Sequence, residues 1–331
     1  MCSSDLGSLL PTGATAAHPA FDLNPHLNYQ QPSVPMPLRE ESIGDPRGVV
    51  IEPGGSRAFV TGLGSDNLIA IDPQTGARIG KTQTGEGPTG IVLDAPTQRL
   101  FVLNRFEGSV SVIDVQSLGE VSRVPFFDPT PPVVRAGRPF LFNTHLSSGL
   151  GQASCGSCHI DGRVDQLAWD LGNPAGAMLQ PSQICNNVAP GLPNDCEAPH
   201  PMKGPMVTQT LVGLSGELAL HWRGDRDNLG QFGATASALM GADADFSQVE
   251  MDRLGNYLAT ISFPPNPNRN LDGSLKSTLA SGSPVNGQSL FLNGQLHFVD
   301  CAVCHSTAAG SGTSVISPLL MLPTQSVKTP Q

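Results

Sequence analysis

The five-residue pattern C-x-x-C-H occurs twice in this chain, as Cys155-Gly-Ser-Cys158-His159 and as Cys301-Ala-Val-Cys304-His305. No other feature constrains the fold as strongly. Two thiols on one turn of backbone can reach the two vinyl groups of one porphyrin. The histidine that follows then sets an imidazole under the iron, so the pattern is the attachment site of a c-type haem. Two other readings of paired cysteines compete. A thioredoxin-like redox pair sits after a strand in a βαβ unit, and neither motif has such surroundings. Two C-x-x-C pairs can also build a four-thiolate zinc site, which leaves a histidine after each pair without a role. The expectation is two covalently bound c-type haems, one on Cys155, Cys158 and His159 and one on Cys301, Cys304 and His305. His159 and His305 are the expected proximal iron ligands. With Cys158 and Cys304 146 positions apart, each haem is expected to have its own domain.

Covalent haem of this kind calls for export from the cytoplasm, so a periplasmic or otherwise exported location is expected. The first basic residue is Arg39, and residues 1–20 form a low-charge stretch without the basic start of a signal peptide. The native start is therefore expected upstream of residue 1. Of the other cysteines, Cys185 and Cys196 stand in a loop rich in Asn, Pro and Gly and are expected to pair as a disulfide in an oxidising compartment. Cys2 has no assigned role. The 331 residues carry a formal net charge of −10 with only 18 Lys and Arg, which argues against a nucleic-acid partner. Apolar runs are a few residues long, too short for a transmembrane helix.

An internal repeat organises residues 46–128. PRGVVIEPGGSRAFVTGLGSDNLIAIDPQTG aligns without gaps to PTGIVLDAPTQRLFVLNRFEGSVSVIDVQSLG, with Pro46 on Pro88 and a period of 42 residues. Gly48/Gly90, Arg57/Arg99, Phe59/Phe101, Val60/Val102, Ile71/Ile113 and Asp72/Asp114 stay in register. Short β-branched runs separated by Gly, Pro and Asp turns have strand-turn-strand spacing, and a period near 42 is that of one four-stranded propeller blade. The repeats resemble the YVTN-type β-propeller family. Phe59-Val60-Thr61-Gly62 and Phe101-Val102-Leu103-Asn104 stand where its signature tetrapeptide would, each departing at two positions. Two blades do not close a ring, so further blades are expected upstream or from another chain.

The expected fold is thus multidomain: a partial β-propeller, all-β with two blades, followed by two mostly α-helical cytochrome c domains. The boundaries are an N-terminal segment 1–45, blades 46–130, a first cytochrome domain 135–265, a linker 266–285, and a second cytochrome domain 286–331, cut short. In the first domain, Phe246, Val249, Met251, Leu254, Tyr257, Leu258 and Ile261 fall largely on one helical face, and Pro264-Pro265 stops the helix. In the second, NGQSLFLNGQLHFVDCAVCHS repeats the plan of RPFLFNTHLSSGLGQASCGSCHI: a short aromatic-bearing helix, a gap, then the motif.

A sixth ligand for the first haem is expected between His159 and the terminal helix, where His200, Met202, Met206 and His221 are the candidates. Each has another reading: core filler for the methionines, a loop residue for His200, and a propionate or channel contact for His221. A methionine would close the site and raise its potential, whereas a displaceable histidine or an open iron admits a small oxidant. Lys203 and Arg223 are candidate propionate partners or surface cations. Trp169 and Trp222, the two tryptophans, either pack against a porphyrin or bridge electron transfer.

RPFLFNTHLSSGLGQASCGSCHIDGRVDQLAWDLG resembles the di-haem cytochrome c peroxidase family, which includes the methylamine-dehydrogenase maturation enzyme. MKGPMVTQTLVGL followed by LHWRGDRDNLGQF is similar to that family's "PT-LxN" and "FWDGR" segments, with His221-Trp222-Arg223-Gly224-Asp225 in the latter place. The resemblance covers roughly residues 137–331. It departs in the order of His221 and Trp222, in His145 where the family often has Arg, and at Ser326-Val-Lys-Thr-Pro-Gln331, which looks like the opening of a "K-x-P-x-LRN" segment. In the family the second haem's distal methionine comes later; Met321 is the one Met after Cys304. The resemblance implies an oxidoreductase that reduces hydrogen peroxide with electrons from a small cytochrome c or copper protein. The alternative is a non-catalytic electron-transfer cytochrome with two six-coordinate haems and a propeller that docks a partner. The family also implies a calcium site, for which no loop here has a clear ligand pattern. Propeller blades followed by cytochrome modules are similar to a group of exported propeller–cytochrome fusions.

Overall fold

A computed structural model of the chain describes residues 20–178, 200–214, 220–293 and 300–305, together with two short strands at 315–316 and 327–328. The chain divides into two compact units. One runs to Ser157 and takes back Ala234–Phe246; the other holds Cys158–Gly233 and Ser247–Gln331.

The first unit is built on the repeat. After a short helix α1 (Met36–Arg39), strands β1 (Pro46–Ile51), β2 (Ala58–Gly62), β3 (Asn67–Ile71) and β4 (Arg78–Gln83) form one antiparallel sheet in chain order. Strands β5 (Pro88–Asp94), β6 (Arg99–Asn104), β7 (Ser109–Asp114) and β8 (Glu120–Pro125) form a second sheet of the same plan. Short turns between consecutive strands permit no other pairing. The register of Asp72 with Asp114 now has a physical reason. Asp72 Oδ1 accepts from the Gln74 amide at 2.8 Å, and Asp114 Oδ1 accepts from the Gln116 and Ser117 amides at 3.1 and 2.9 Å. Each carboxylate thereby closes the last hairpin of its sheet as an Asx-turn. The turn ends on a left-handed residue, Gly76 (φ 72) in the first copy and Leu118 (φ 56) in the second.

The two sheets share a core but bury different amounts. Phe59, Leu68 and Ala70 of the first sheet pack with Leu100, Val102, Ile113 and Val115 of the second. The alternate residues Ala58, Val60, Ile69 and Ile71 pack on Ile43 and Leu23, so β2 and β3 are buried on both faces. In β6 and β7 burial alternates with a period of two. The ladder of Val92, Phe101, Leu103, Val110 and Val112 on the far face is exposed or half-exposed. Two neighbouring four-stranded antiparallel sheets with a common core are the plan of β-propeller blades.

Helices α2 (Pro132–Gly137), α3 (Pro139–Phe142) and α4 (Thr144–Ser147) lead to α5 (Cys155–Cys158). Later in the chain α6 (Thr235–Met240) returns to this unit. The buried Arg39 guanidinium ties these pieces together through Val34 O (3.2 Å), Gly149 O (3.1 Å) and Asp243 (2.7 Å). Phe140 meets Phe246 edge to face, with ring centroids 5.5 Å apart.

In the second unit, strands β9 (Ala168–Trp169) and β10 (Met206–Val207) pair antiparallel. Two 3₁₀ turns lie at Ile160–Gly162 and Leu229–Phe232. Helix α7 (Gln248–Leu258) packs on the second of these turns. Helices α8 (Pro284–Asn293) and α9 (Cys301–Cys304) pack on each other, and β11 (Val315–Ile316) pairs with β12 (Val327–Lys328).

The expectation of mostly helical modules needs correction. Among the described residues between 135 and 265 the longest helix has 11 residues, and the others are short helices of up to six residues, turns and two-residue ladders. Pro174, Pro201 and Pro205, with Gly172, Gly176, Gly204 and Gly213, break any longer helix there. Helix α7 also begins later and ends sooner than its apolar stripe. Ser247 opens it with a capping box to Glu250, leaving Phe246 outside, and Val249 faces solvent. Met251, Leu254 and Leu258 form the buried face. The helix closes at Leu258, where the Thr260 hydroxyl donates to Tyr257 O, well before Pro264. Within 266–285 the chain makes local turns, such as Asn270 N–H to Ser274 O at 3.0 Å.

Candidate functional site

The first C-x-x-C-H begins on α5, a single helical turn that sets Cys155 and Cys158 at its two ends. Neighbours in the first unit fix the turn. A Cβ on Gly156 would lie 2.6 Å from Phe142 Cδ1 and 3.1 Å from the Leu141 carbonyl oxygen, so the turn sits directly on α3. The hydroxyls of Ser154 (2.9 Å) and Ser157 donate to the Asp45 carboxylate. Asp45 has a left-handed backbone (φ 49) just ahead of β1, so the entry to the first sheet also holds the turn that carries Cys155. Burial raises Asp45 above the usual carboxylate range, against the two serine bonds. Burial also pushes the Cys155 thiol up to about 11, with Asp45 adding to it.

His159 is oriented through its other nitrogen. Nδ1 lies 2.8 Å from Gln209 O. A carbonyl can only accept, so Nδ1 carries the proton and the Nε2 lone pair remains for a metal. Burial holds His159 below its ordinary value and favours the neutral ring. The Leu211 amide donates to Gly162 O at 2.9 Å and fixes this part of the chain beside the turn after His159. Two thiols on one turn and a neutral imidazole with its Nδ1 hydrogen-bonded are a donor set that fits a covalently held haem iron.

The four candidate distal ligands differ in what their own chain does with them. His221 has a left-handed backbone (φ 66) in a loop closed by the Leu220–Arg226 bridge. Its Nδ1 lies 2.9 Å from Asp225 Oδ1, and its ring stands edge-on to Phe232 at 4.7 Å. The Asp225 side chain is 0% exposed and also takes Arg223 Nη2 at 3.0 Å and Arg226 Nη1 at 3.6 Å. Burial opposes ionisation of Asp225. The His221 bond and the charges of Lys203 and Arg223 outweigh it and hold the carboxyl well below its usual range. Burial lowers His221, so its ring too is neutral with Nε2 unprotonated. The His221 side chain remains 32% exposed.

His200 is exposed, and its Nδ1 accepts from the Met202 amide at 3.0 Å. In that neutral tautomer the proton sits on Nε2. Its carbonyl takes the Arg223 guanidinium. Met202 is half-buried beside Gly172. Met206 is half-buried on β10 directly across from Trp169. Both tryptophans tie to this small ladder: Trp169 Nε1 donates to Asp165 at 2.7 Å, and Trp222 Nε1 donates to Val207 O at 2.7 Å. Arg223 is buried and turned inward to Asp225 and the His200 carbonyl. Burial lowers Lys203 from the ordinary lysine value.

The second motif repeats the helical turn on α9. Its His305 amide donates to Cys301 O at 3.0 Å, and the His305 ring lies 6.1 Å from that of Phe291 on α8. Of Cys304 the backbone position in α9 is described. Cys2, Cys185, Cys196 and Met321 lie outside the described residues, and with them the expected disulfide and the Met321 ligand. Among the described residues no group of three or more His, Cys, Asp or Glu gathers as a metal cluster. No helix among them is long and apolar enough to cross a membrane. Asp45, Gln209 and Asp225 are site residues that sequence reasoning missed. For Asp225 a signal was present in the i, i+4 spacing from His221 and the flanking Arg223 and Arg226. For Asp45 and Gln209 there was none.

No family model matches the chain. PE-PGRS family protein PE_PGRS18 of Mycobacterium tuberculosis (strain ATCC 25618 / H37Rv) is 37% identical over 60 residues, which are 18% of this chain and 13% of that protein. The chain therefore matches a small part of that relative's length. Solved structures with local likeness include Kuenenia stuttgartiensis hydrazine synthase (TM-score 0.25, 23% identity, 26% of this chain and 25% of that chain). BamB from Moraxella catarrhalis is another (0.24, 22%, 26% and 25%), as is the β-propeller domain of Myceliophteria thermophila Cps50 (Swd1) (0.24, 16%, 27% and 27%). These likenesses are short and distant. The chain's own strand order, its two four-stranded antiparallel sheets and their 42-residue repeat make the first part of the molecule a β-propeller part.

Proposed function

We propose that this chain is an exported di-haem c-type cytochrome, an oxidoreductase of the cytochrome c peroxidase type that draws electrons from a small cytochrome or copper protein. The observation that carries the haem reading is His159. It follows two cysteines on one helical turn, and its Nδ1 bond to Gln209 O leaves Nε2 for iron. The peroxidase reading rests on the sequence resemblance across residues 137–331.

A bound haem supplies an iron that passes between ferric and ferrous states. The chain's residues do the rest. Cys155 and Cys158 tether the porphyrin, and Cys301 and Cys304 tether the second. Asp45, through Ser154 and Ser157, keeps the first tether in place. Gln209 O fixes the His159 tautomer and raises the basicity of the imidazole. The second reading, electron transfer with closed six-coordinate haems, is favoured by the ordered His221–Asp225 pair.

The first test is covalent haem content after denaturation. Two haems per chain are expected, falling to one in Cys155→Ala/Cys158→Ala and to one in Cys301→Ala/Cys304→Ala. A chain matured in a host competent for cytochrome c assembly that carries no covalent haem overturns the proposal. Carbon monoxide binding to the reduced protein and turnover with hydrogen peroxide then separate the two readings. Peroxidase action requires one haem that binds carbon monoxide; electron transfer alone requires none.

A further inference from the structure

We infer that residues 20–44 are an acid-released strap, latched onto the first sheet where His26 and His145 converge on Ser42. The inference stands apart from the haem reading. Every residue that it uses lies in the first unit.

The strap lies where a sheet would. Its Ile43 and Leu23 pack on Ala58, Val60, Ile69 and Ile71. One repeat later, Leu100, Val102 and Ile113 take the places of Ala58, Val60 and Ile71, and they pack against the neighbouring sheet. The strap thus covers on the first sheet the face that a whole sheet covers on the second.

Its polar fastening centres on Ser42, which is 0% exposed. The Ser42 hydroxyl donates to Leu150 O at 2.7 Å. A hydroxyl has one proton, so toward His26 Nε2, 3.2 Å away, it can only accept, and Nε2 carries the ring proton. His26 Nδ1 lies 3.4 Å from Arg78 Nη1 on β4. A guanidinium only donates, so Nδ1 carries no proton. The two contacts together admit one form of His26, the neutral ring protonated on Nε2. His145 on α4 reaches the same residue, with Nε2 at 3.2 Å from Ser42 O. That carbonyl also accepts from Asn67 Nδ2 at 2.9 Å.

Acid acts on this latch at a defined atom. A second proton on His26 must go to Nδ1, where it faces the Arg78 guanidinium and ends that hydrogen bond. Burial and Arg78 hold His26 below the ordinary histidine value, against the carboxylates of Glu41 and Asp22 and the Leu38 backbone. Burial lowers His145 as well; the Ser42 carbonyl and Glu40 oppose the shift, and Lys81 and Arg39 add to it. The closed strap therefore binds fewer protons than the open one. Opening grows as pH falls below about 6.5 and levels off once His26 is charged in the closed form too. The Leu27–Val34–Leu150 cluster and the Arg39–Asp243 pair do not titrate in this range, so the release is local. Because Ser42 holds the carbonyl of Leu150, five residues before Cys155, it also loosens the approach to the first C-x-x-C-H motif.

The test follows hydrogen–deuterium exchange by mass spectrometry in the full chain as isolated, reading peptides from residues 20–44. After correction for intrinsic exchange rates, opening is expected to rise severalfold from about pH 7.5 to about pH 5.5, with peptides of β6 and β7 unchanged. Binding of anilinonaphthalene sulfonate, a probe of exposed apolar surface, should rise with it. His26→Gln keeps a donor for Ser42 and an acceptor for Arg78 but does not titrate. It should remove most of the pH dependence and leave the opening at neutral pH within about twofold of wild type. His26→Gln/His145→Gln should remove the remainder. Arg78→Met should move the His26 titration, read from exchange of its ring C2 hydrogen, up toward the ordinary histidine value, a shift that a merely structural contact would not give. Strap exchange indifferent to pH overturns the inference. So does an equal rise in the β6 and β7 peptides, a full pH dependence in the double glutamine variant, or a wild-type His26 that titrates at or above the ordinary value. If the glutamine variants fail to accumulate, the wild-type exchange and the wild-type His26 titration decide.

Discussion

Phe59 and Phe101 occupy the same place in the 42-residue repeat, and the structure predicts very different costs for removing them. Phe59 is 0% exposed in the core between the two sheets, with Arg57 over its ring at 5.4 Å. Phe101 lies on the far face of the second sheet and is half-exposed. Truncating a buried phenylalanine to alanine costs about 3–5 kcal/mol, because the lost transfer energy is joined by a cavity that close-packed neighbours do not fill. Loss of the Arg57 contact adds about 0.5–1 kcal/mol. At Phe101 much of the ring already meets water, no closed cavity forms, and about 1 kcal/mol is expected from the area that is buried. The difference between the twins is therefore about 3 kcal/mol, or on the order of 10 °C in melting temperature for a unit of this size. Thermal and urea unfolding of Phe59→Ala and Phe101→Ala, followed by far-ultraviolet circular dichroism, measure it directly. Equal and large costs would refute the reasoning, since they would mean that the far face of the second sheet is covered in solution. Equal and small costs would refute the shared core itself.

Gly156→Ala forces a methyl group to 2.6 Å from Phe142 and 3.1 Å from the Leu141 carbonyl; it should lower covalent haem on the first motif severalfold and spare the second, as read by haem content per chain. Burial raises Asp66 to about 7, with Glu86 and Glu107 adding to it. Its folded form holds a proton that the unfolded form releases at ordinary carboxylate pH, so stability should fall as pH rises from about 4 to about 7 and then level off. Asp66→Asn should remove that part of the slope in urea unfolding, and an unchanged slope would reject it. Ser247→Ala deletes the capping box on α7 and should cost about 1 kcal/mol in the same assay.

What was legible in the sequence was what short range determines. The repeat could be read because each strand pairs with its sequence neighbour and each sheet ends on the same Asp-centred turn, so Ile71-Asp72 and Ile113-Asp114 carry the same local instruction. The helical turns of the two C-x-x-C-H motifs could be read because the spacing of their cysteines is itself local. The start of α7 was also written locally, in Ser247 and Glu250, yet the apolar stripe from Phe246 to Ile261 outweighed it and drew the helix too long. What escaped was everything set by distance in the chain. Asp45 lies more than a hundred residues before the serines that it holds, and Gln209 reaches His159 through a carbonyl that every residue possesses. A backbone acceptor has no signature in composition or spacing. Asp225 stands between these cases. Four residues after His221 and flanked by arginines, it had a readable pattern, but its meaning depends on burial. An exposed carboxylate at that spacing would be one more surface ion pair worth little; the Asp225 side chain has no exposed area, and as an acceptor at Nδ1 it fixes which imidazole nitrogen carries the proton. The spacing of His221 and Asp225 was legible in the sequence, and the burial that gives the pair its weight was not.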